Sequence, residues 1–159
     1  ILVGTQSIPF TVQANNVVRK FIGPNAGGDA PNTAVHLNQN DGVTTAAGIK
    51  VTSDVPVAVY AHIIRSARSG ATLVLPITVW GREYIVPGKQ STSNGNSLSV
   101  GEIAVMASEP NTTIEITPSV VSRNLNRQPG VPFTVTLANP GDVYQLQFQD
   151  RQDISGTVV

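Results

Sequence analysis

Any chemistry in this 159-residue chain would have to come from a short supply of titratable side chains. His36 and His62 are its two histidines, 26 positions apart, and neither has an acidic neighbour. General acid–base catalysis needs such groups held together in a cleft, within reach of a substrate. Serine is common, but no Gly-x-Ser-x-Gly elbow raises one as a nucleophile, so no Ser–His–Asp triad is expected. Asp29, Asp41, Asp150 and Asp153 fall in or near loops, where carboxylates and carbonyls can hold a surface Ca²⁺. No loop alternates Asp and Asn as a dedicated calcium motif does, so no metal or other cofactor is assigned. Gly27-Gly28 lacks the lysine and the helix of a phosphate-cradling loop. Cysteine is absent, which excludes disulfides, thiol catalysis and Cys-based zinc sites.

The candidate ligand contacts are polar and exposed. Arg65-Ser66-Ala67-Arg68-Ser69-Gly70 reads as a hairpin tip with two guanidiniums, able to hold a carboxylate or a glycan sulfate. Asn94, in the Asn94-Gly95 turn of a polar loop at 90–97, is the third candidate. Lys plus Arg and Asp plus Glu are 10 each, and that balance argues against a nucleic-acid surface. The densest apolar stretch, residues 73–77, already contains Pro76, so no membrane-inserting helix is expected.

These residues must be positioned by strands. Val, Ile and Thr supply 49 positions, and β-branched side chains suit a pleated, half-buried surface better than a helix. Apolar residues recur at spacing two through 49–64, with a break at Thr52-Ser53-Asp54. Further strands are expected at 8–12, 17–22, 34–37, 71–79, 83–86, 102–108, 112–117, 131–137, 142–148 and 154–159. The pair 102–108 and 112–117 reads as a hairpin across Glu109-Pro110-Asn111. Asp54 and Asp142 read as turn residues that bond nearby backbone, and Tyr60, Tyr84, Tyr144 and Trp80 as core or sheet-face residues. The fold expected is all-β, an antiparallel sandwich of two packed sheets, with jelly-roll and immunoglobulin-like topologies both open.

An internal echo sets the organisation. Ile8-Pro9-Phe10-Thr11-Val12 reappears as Val131-Pro132-Phe133-Thr134-Val135. Each copy is followed by a turn and a second apolar segment, 17–22 or 143–148, and then by a glycine-led start at Gly48 or Gly156. This predicts a tandem β repeat. Residues 1–47 end one unit, with a loop insertion at 23–45, and residues 48–159 form the next; the two can pack as a single domain. The chain opens on Ile1 rather than Met, and is read as a piece of something longer.

Four blocks of sequence, in order, carry a family resemblance. They are Val51-Thr52-Ser53-Asp54-Val55-Pro56-Val57-Ala58-Val59-Tyr60, then Leu75-Pro76 with Trp80-Gly81-Arg82-Glu83-Tyr84. Ala107-Ser108-Glu109-Pro110-Asn111-Thr112-Thr113-Ile114-Glu115-Ile116-Thr117-Pro118 follows, and Gly141-Asp142-Val143-Tyr144-Gln145-Leu146 with Asp153-Ile154-Ser155-Gly156-Thr157 closes the set. Together they resemble the N-terminal domain family of the IgGFc-binding protein, in the version found in bacterial surface proteins. The resemblance implies placement outside the cell or on its surface, and a role in adhesion or display. It brings no catalytic motif.

The function expected is therefore a non-catalytic module of a large surface protein, binding glycan or protein partners. The alternative is a structural subunit of a fibre, sheath or other extracellular assembly, and an enzyme is the third reading. The terminal segments Ile1, Leu2, Val3 and Thr157, Val158, Val159 are apolar and look cut from a sheet, so they are candidate edges for pairing with neighbouring repeats or copies of the chain.

Overall fold

The computed structural model describes residues 1–23, 41–65, 68–90 and 100–159, with the backbone alone at 64, 65 and 68. Among these residues the fold is all-β: ten antiparallel strands and one 3-10 turn. Its centre is β10 (Val143–Asp150), flanked by β3 (Gly42–Thr44) and β7 (Val100–Met106). A second sheet, β8 (Thr112–Ile116) with β9 (Phe133–Leu137), packs across it.

Period two explains the packing. On one face of β8 and β9, Ile114 and Ile116 stand opposite Val135 and Phe133. These four and Leu137 turn inward onto Ile103, Tyr144, Leu146 and Phe148 of the first sheet. The alternate residues Thr113, Glu115, Thr134 and Thr136 face out, where the Thr113 and Thr136 hydroxyls bond across strands at 3.3 Å. This is the two-layer core that the composition predicts.

The expected hairpin between 102–108 and 112–117 does not form. β7 pairs with β10 and β8 with β9, so Glu109-Pro110-Asn111 carries the chain from one sheet to the other. Asn111 takes φ 55° there and donates its N–H to Ala138 O at 3.1 Å. Burial decides the outcome, because crossing over lets each strand put its apolar face on the shared core. The expected loop at 23–45 also ends differently, since Gly42–Thr44 is a strand beside β10. The strand expected at 34–37 lies outside the described residues.

The N-terminal part is built more sparsely. β1 (Leu2–Val3) lies between β2 (Gln6–Ser7) and β4 (Ile49–Lys50), over a small cluster of Val3 and Ile8 with Ile1 and Ile22. The strands expected at 8–12 and 17–22 form no ladder among the described residues: Ile8 exchanges two hydrogen bonds with Ile1, at 2.7 and 2.8 Å, and Ile22 is a single bridge position. The alternation at 49–64 splits into β4 and β5 (Val59–Arg65), and residues 51–58 between them join no strand.

Both chain ends are paired internally. Leu2 and Val3 have neighbours on either side, and Val158 bridges Ile85 on one side and Thr117 on the other. Val159 exchanges two hydrogen bonds with Tyr84, at 2.8 and 2.9 Å. Val3 and Thr157 are fully buried. The terminal segments that look cut from a sheet are thus taken up within the chain, because their own apolar side chains seal its two clusters.

Candidate functional site

Among the described residues, an arm exposes several large apolar side chains. β5 and β6 (Arg68–Val74) form a two-stranded ribbon, in register from Val59 opposite Val74 to Arg65 opposite Arg68. Tyr60 and Leu73 share one face and Ile63 the other, and all three are exposed, Tyr60 by 73% and Ile63 by 75%. A ribbon apolar on both faces follows from Tyr60-Ala61-His62-Ile63-Ile64, where polar–apolar alternation lapses.

The chain then turns at Pro76 into the 3-10 turn Ile77–Val79. Trp80 Nε1 donates to Leu75 O at 3.1 Å and Tyr84 OH to Gly81 O at 3.0 Å, which fixes this return. Leu75, Ile77, Val79 and Ile85 along it are all exposed. Grouped exposure of large apolar side chains makes this arm the candidate contact surface. Tyr60 takes a sheet face, as the sequence suggests, but that face is exposed; Tyr84 lies outside any strand and is about half exposed.

The backbone register sets Arg65 opposite Arg68 at the far end of this arm. Asn94 lies outside the described residues, as do His36 and Asp29. His62 is exposed on β5, so the two histidines are not shown together.

The loop carboxylates serve the backbone. Asp142, 2% exposed, accepts from Asn139 N at 2.9 Å, Asn139 Nδ2 at 3.3 Å and Ala46 N at 3.2 Å. It ties the turn before β10 to the chain after β3, where Gly48 N donates to Gly141 O at 2.8 Å. A Cβ at Gly48 would press on Met106 Sδ and approach Gly141 Cα to 3.0 Å, so only glycine permits this contact. Asp41 Oδ1 accepts from Gln147 N at 2.6 Å. Asp153 Oδ1 accepts from Ser155 Oγ at 2.6 Å and Ser155 N at 2.9 Å, and these bonds hold its carboxyl below the usual range. Asp150 pairs with Arg151 at 3.7 Å. In the Thr52-Ser53-Asp54 break it is Ser53 Oγ that bonds the backbone, at Val55 O, 2.7 Å away. Among the described residues no three His, Asp or Glu side chains converge as a metal site would require.

Tyr144 takes the core position that the sequence allows it, and brings a polar group with it. Tyr144 is 3% exposed, stacks edge-on to Phe133 with ring centroids 6.2 Å apart, and its hydroxyl has no hydrogen-bond partner among the described residues. Burial raises its pKa, the positive charge of Arg127 opposes that, and the Asp41 carboxylate adds to it. Arg127 lies over the Phe133 ring at 4.4 Å. The pattern Tyr144-Gln145-Leu146-Gln147-Phe148 looks half-exposed in sequence, yet Gln145 and Gln147 are buried too.

The last feature is a cleft of about 470 Å³ between residues 10–12 and the stretch 52–57, lined by Phe10, Thr11, Val12, Thr52, Asp54 and Val55 among others.

A sheet-on-sheet domain with an apolar arm, whose carboxylates mostly hold its turns, defines a module for contact. The family described as IgGFc binding protein matches residues 70–159, more than half of the chain, and the chain belongs to that family. The matched span runs from within β6 to the C-terminus, so it takes in the resembling blocks from Leu75 onward; Val51 to Tyr60 lies outside it. No curated protein and no solved structure matches. Among the described residues no helix is long and apolar enough to cross a membrane.

Proposed function

We propose that this chain is a non-catalytic extracellular module that adheres through its β5–β6 arm and the return at 75–85. Family membership supports a binding role outside the cell. The observation that carries the reading is the arm itself, with large apolar side chains exposed on both faces next to a core that buries such residues. Aromatic and aliphatic surface of this kind suits a protein face or the apolar face of a sugar. Arg65 and Arg68 occupy opposed positions at its end, where like charges repel and a bound carboxylate or sulfate would relieve them.

The test is a panel of neutral and sulfated glycans with immunoglobulin Fc as a protein probe. Saturable binding to a panel member is expected, lost in Tyr60→Ser/Ile63→Ser with the melting temperature unchanged. If the partner is sulfated, Arg65→Gln/Arg68→Gln weakens it as well. Binding that survives the first double variant would remove the arm from the account.

A structural repeat of a surface assembly is the second reading, and the same ribbon favours it. Among the described residues β5 and β6 pair only with each other, which leaves each an outer edge for strand addition. Sedimentation that shows self-association through the arm, without glycan or Fc binding, would select this reading.

A further inference from the structure

The two faces of the arm are not alike. The register puts Ile63 and Arg65 of β5 on one face, opposite Gly70 and Arg68 of β6, and Tyr60 and Leu73 on the other. Ile63 therefore has no side chain across from it. Glycine inside a strand weakens the pairing, and it marks a bulge, a bend or a place where a ligand or another backbone comes close. The β5–β6 ladder is continuous from Val59 to Val74, and Gly70 does not take positive φ. A Cβ on Gly70 would meet nothing within 4 Å among the described residues. Neither the backbone nor a described neighbour calls for glycine here, which leaves close approach from outside.

We infer that this face seats a sulfated sugar, with the ring over Ile63 at the Gly70 gap and the sulfate on the Arg65–Arg68 pair. Successive cross-strand pairs on one face lie about 7 Å apart along a ribbon, comparable with the reach of one sulfated sugar. The flat step beside Ile63 suits the apolar face of a ring, and guanidiniums suit sulfate through paired, charge-assisted hydrogen bonds. Charge selects this occupant over a second copy of the arm. Residues 55–82 contain no acid, so two arms stacked by this face would gather four arginines with nothing to balance them. The inference rests on adhesion through the arm and adds the face and the ligand class. The two fail differently: capture of Fc or a neutral glycan by the arm, without the sulfated probe below, removes this inference and leaves that reading standing.

A fluorescent heparin hexasaccharide, titrated into the full chain and followed by anisotropy, tests it. Saturable binding is expected, weakened by salt and not competed by the desulfated hexasaccharide. Arg65→Gln/Arg68→Gln should weaken it at least about tenfold, since charge-assisted hydrogen bonds are lost. Gly70→Val keeps both arginines but fills the gap opposite Ile63, and should weaken binding by a comparable factor. Ala71→Val adds the same side chain one position on, at a site the register puts on the other face, and should leave binding unchanged. Valine suits a strand, so both valine variants should melt as the native chain does. No saturable binding, equal competition by the desulfated sugar, or full binding by Gly70→Val overturns the inference; the last would leave only a polyanion drawn to two arginines. So does sedimentation showing a dimer of arms that heparin does not dissociate.

Discussion

Residues 8–22 and residues 131–148 share the string Pro-Phe-Thr-Val and reach different ends. In the second stretch Phe133, Val135, Leu146 and Phe148 lie in paired strands and close a two-sheet core. In the first, Val17 is 87% exposed and Val18 and Phe21 are exposed too, and only Ile8 and Ile22 find a cluster to join. The difference lies in the neighbours rather than in propensity. A β-branched run becomes a strand when another strand completes its hydrogen bonds and a second layer covers its apolar face. β10 has strands on both sides and a sheet above it; among the described residues, 17–22 have no strand ladder and a single bridge position at Ile22.

Core truncation should divide the two stretches most sharply. Leu146→Ala, at a fully buried position, should cost about 2–5 kcal/mol in urea unfolding. Val17→Ala should stay within about 0.5 kcal/mol. Equal losses would abolish the distinction.

Next in size is Asp142→Ala. It strips the acceptor from Asn139 N and Ala46 N where β3 joins β10, and should cost about 2 kcal/mol by the same measurement. A change near zero would mean that the join is held by Gly48 and Gly141 alone.

Tyr144→Phe has the opposite sign. It removes a buried hydroxyl that has no partner among the described residues, so a gain of about 1 kcal/mol is expected. Burial, assisted by Asp41 against Arg127, raises the Tyr144 pKa above its ordinary 10.0. The stability linked to the neutral phenol is therefore complete below that value and is lost as pH rises through the folded-state pKa. Tyr144→Phe should flatten the alkaline limb of a melting-temperature profile; an unchanged limb would count against this assignment.

The smallest effect belongs to Asp153. Its lowered pKa means that its contribution is present above the unfolded value of 3.8 and fades as pH falls through the native one. Asp153→Asn should soften the acid limb slightly, and an NMR titration should place the carboxyl inflection below the usual range.

Much of the packed unit was legible in the sequence, because alternation at 112–117 and 131–137 fixes which side chains meet the core. The crossover at Glu109-Pro110-Asn111 was not, since a tight turn looks the same whether it joins two strands of one sheet or two sheets. Nor was the burial of Gln145 and Gln147, because alternation shows one polar face without showing that another layer covers it. The spacing of two at 49–64 suggests a half-buried strand, although the lapse at Ala61-His62-Ile63-Ile64 marks a ribbon with two apolar faces. The candidate contacts Arg65 and Arg68 come to opposed positions, as a hairpin tip requires. The cleft depends on two segments 40 residues apart in sequence, and no local pattern announces it.

Native-state hydrogen exchange reads the contrast most directly. Amides of β7, β9 and β10 should exchange only through global unfolding, while those of Val17, Val18 and residues 51–57 exchange through local opening at a small fraction of that free energy. Uniform protection across both stretches would contradict the account, since it would mean that residues 8–22 are already as fully paired as their counterpart.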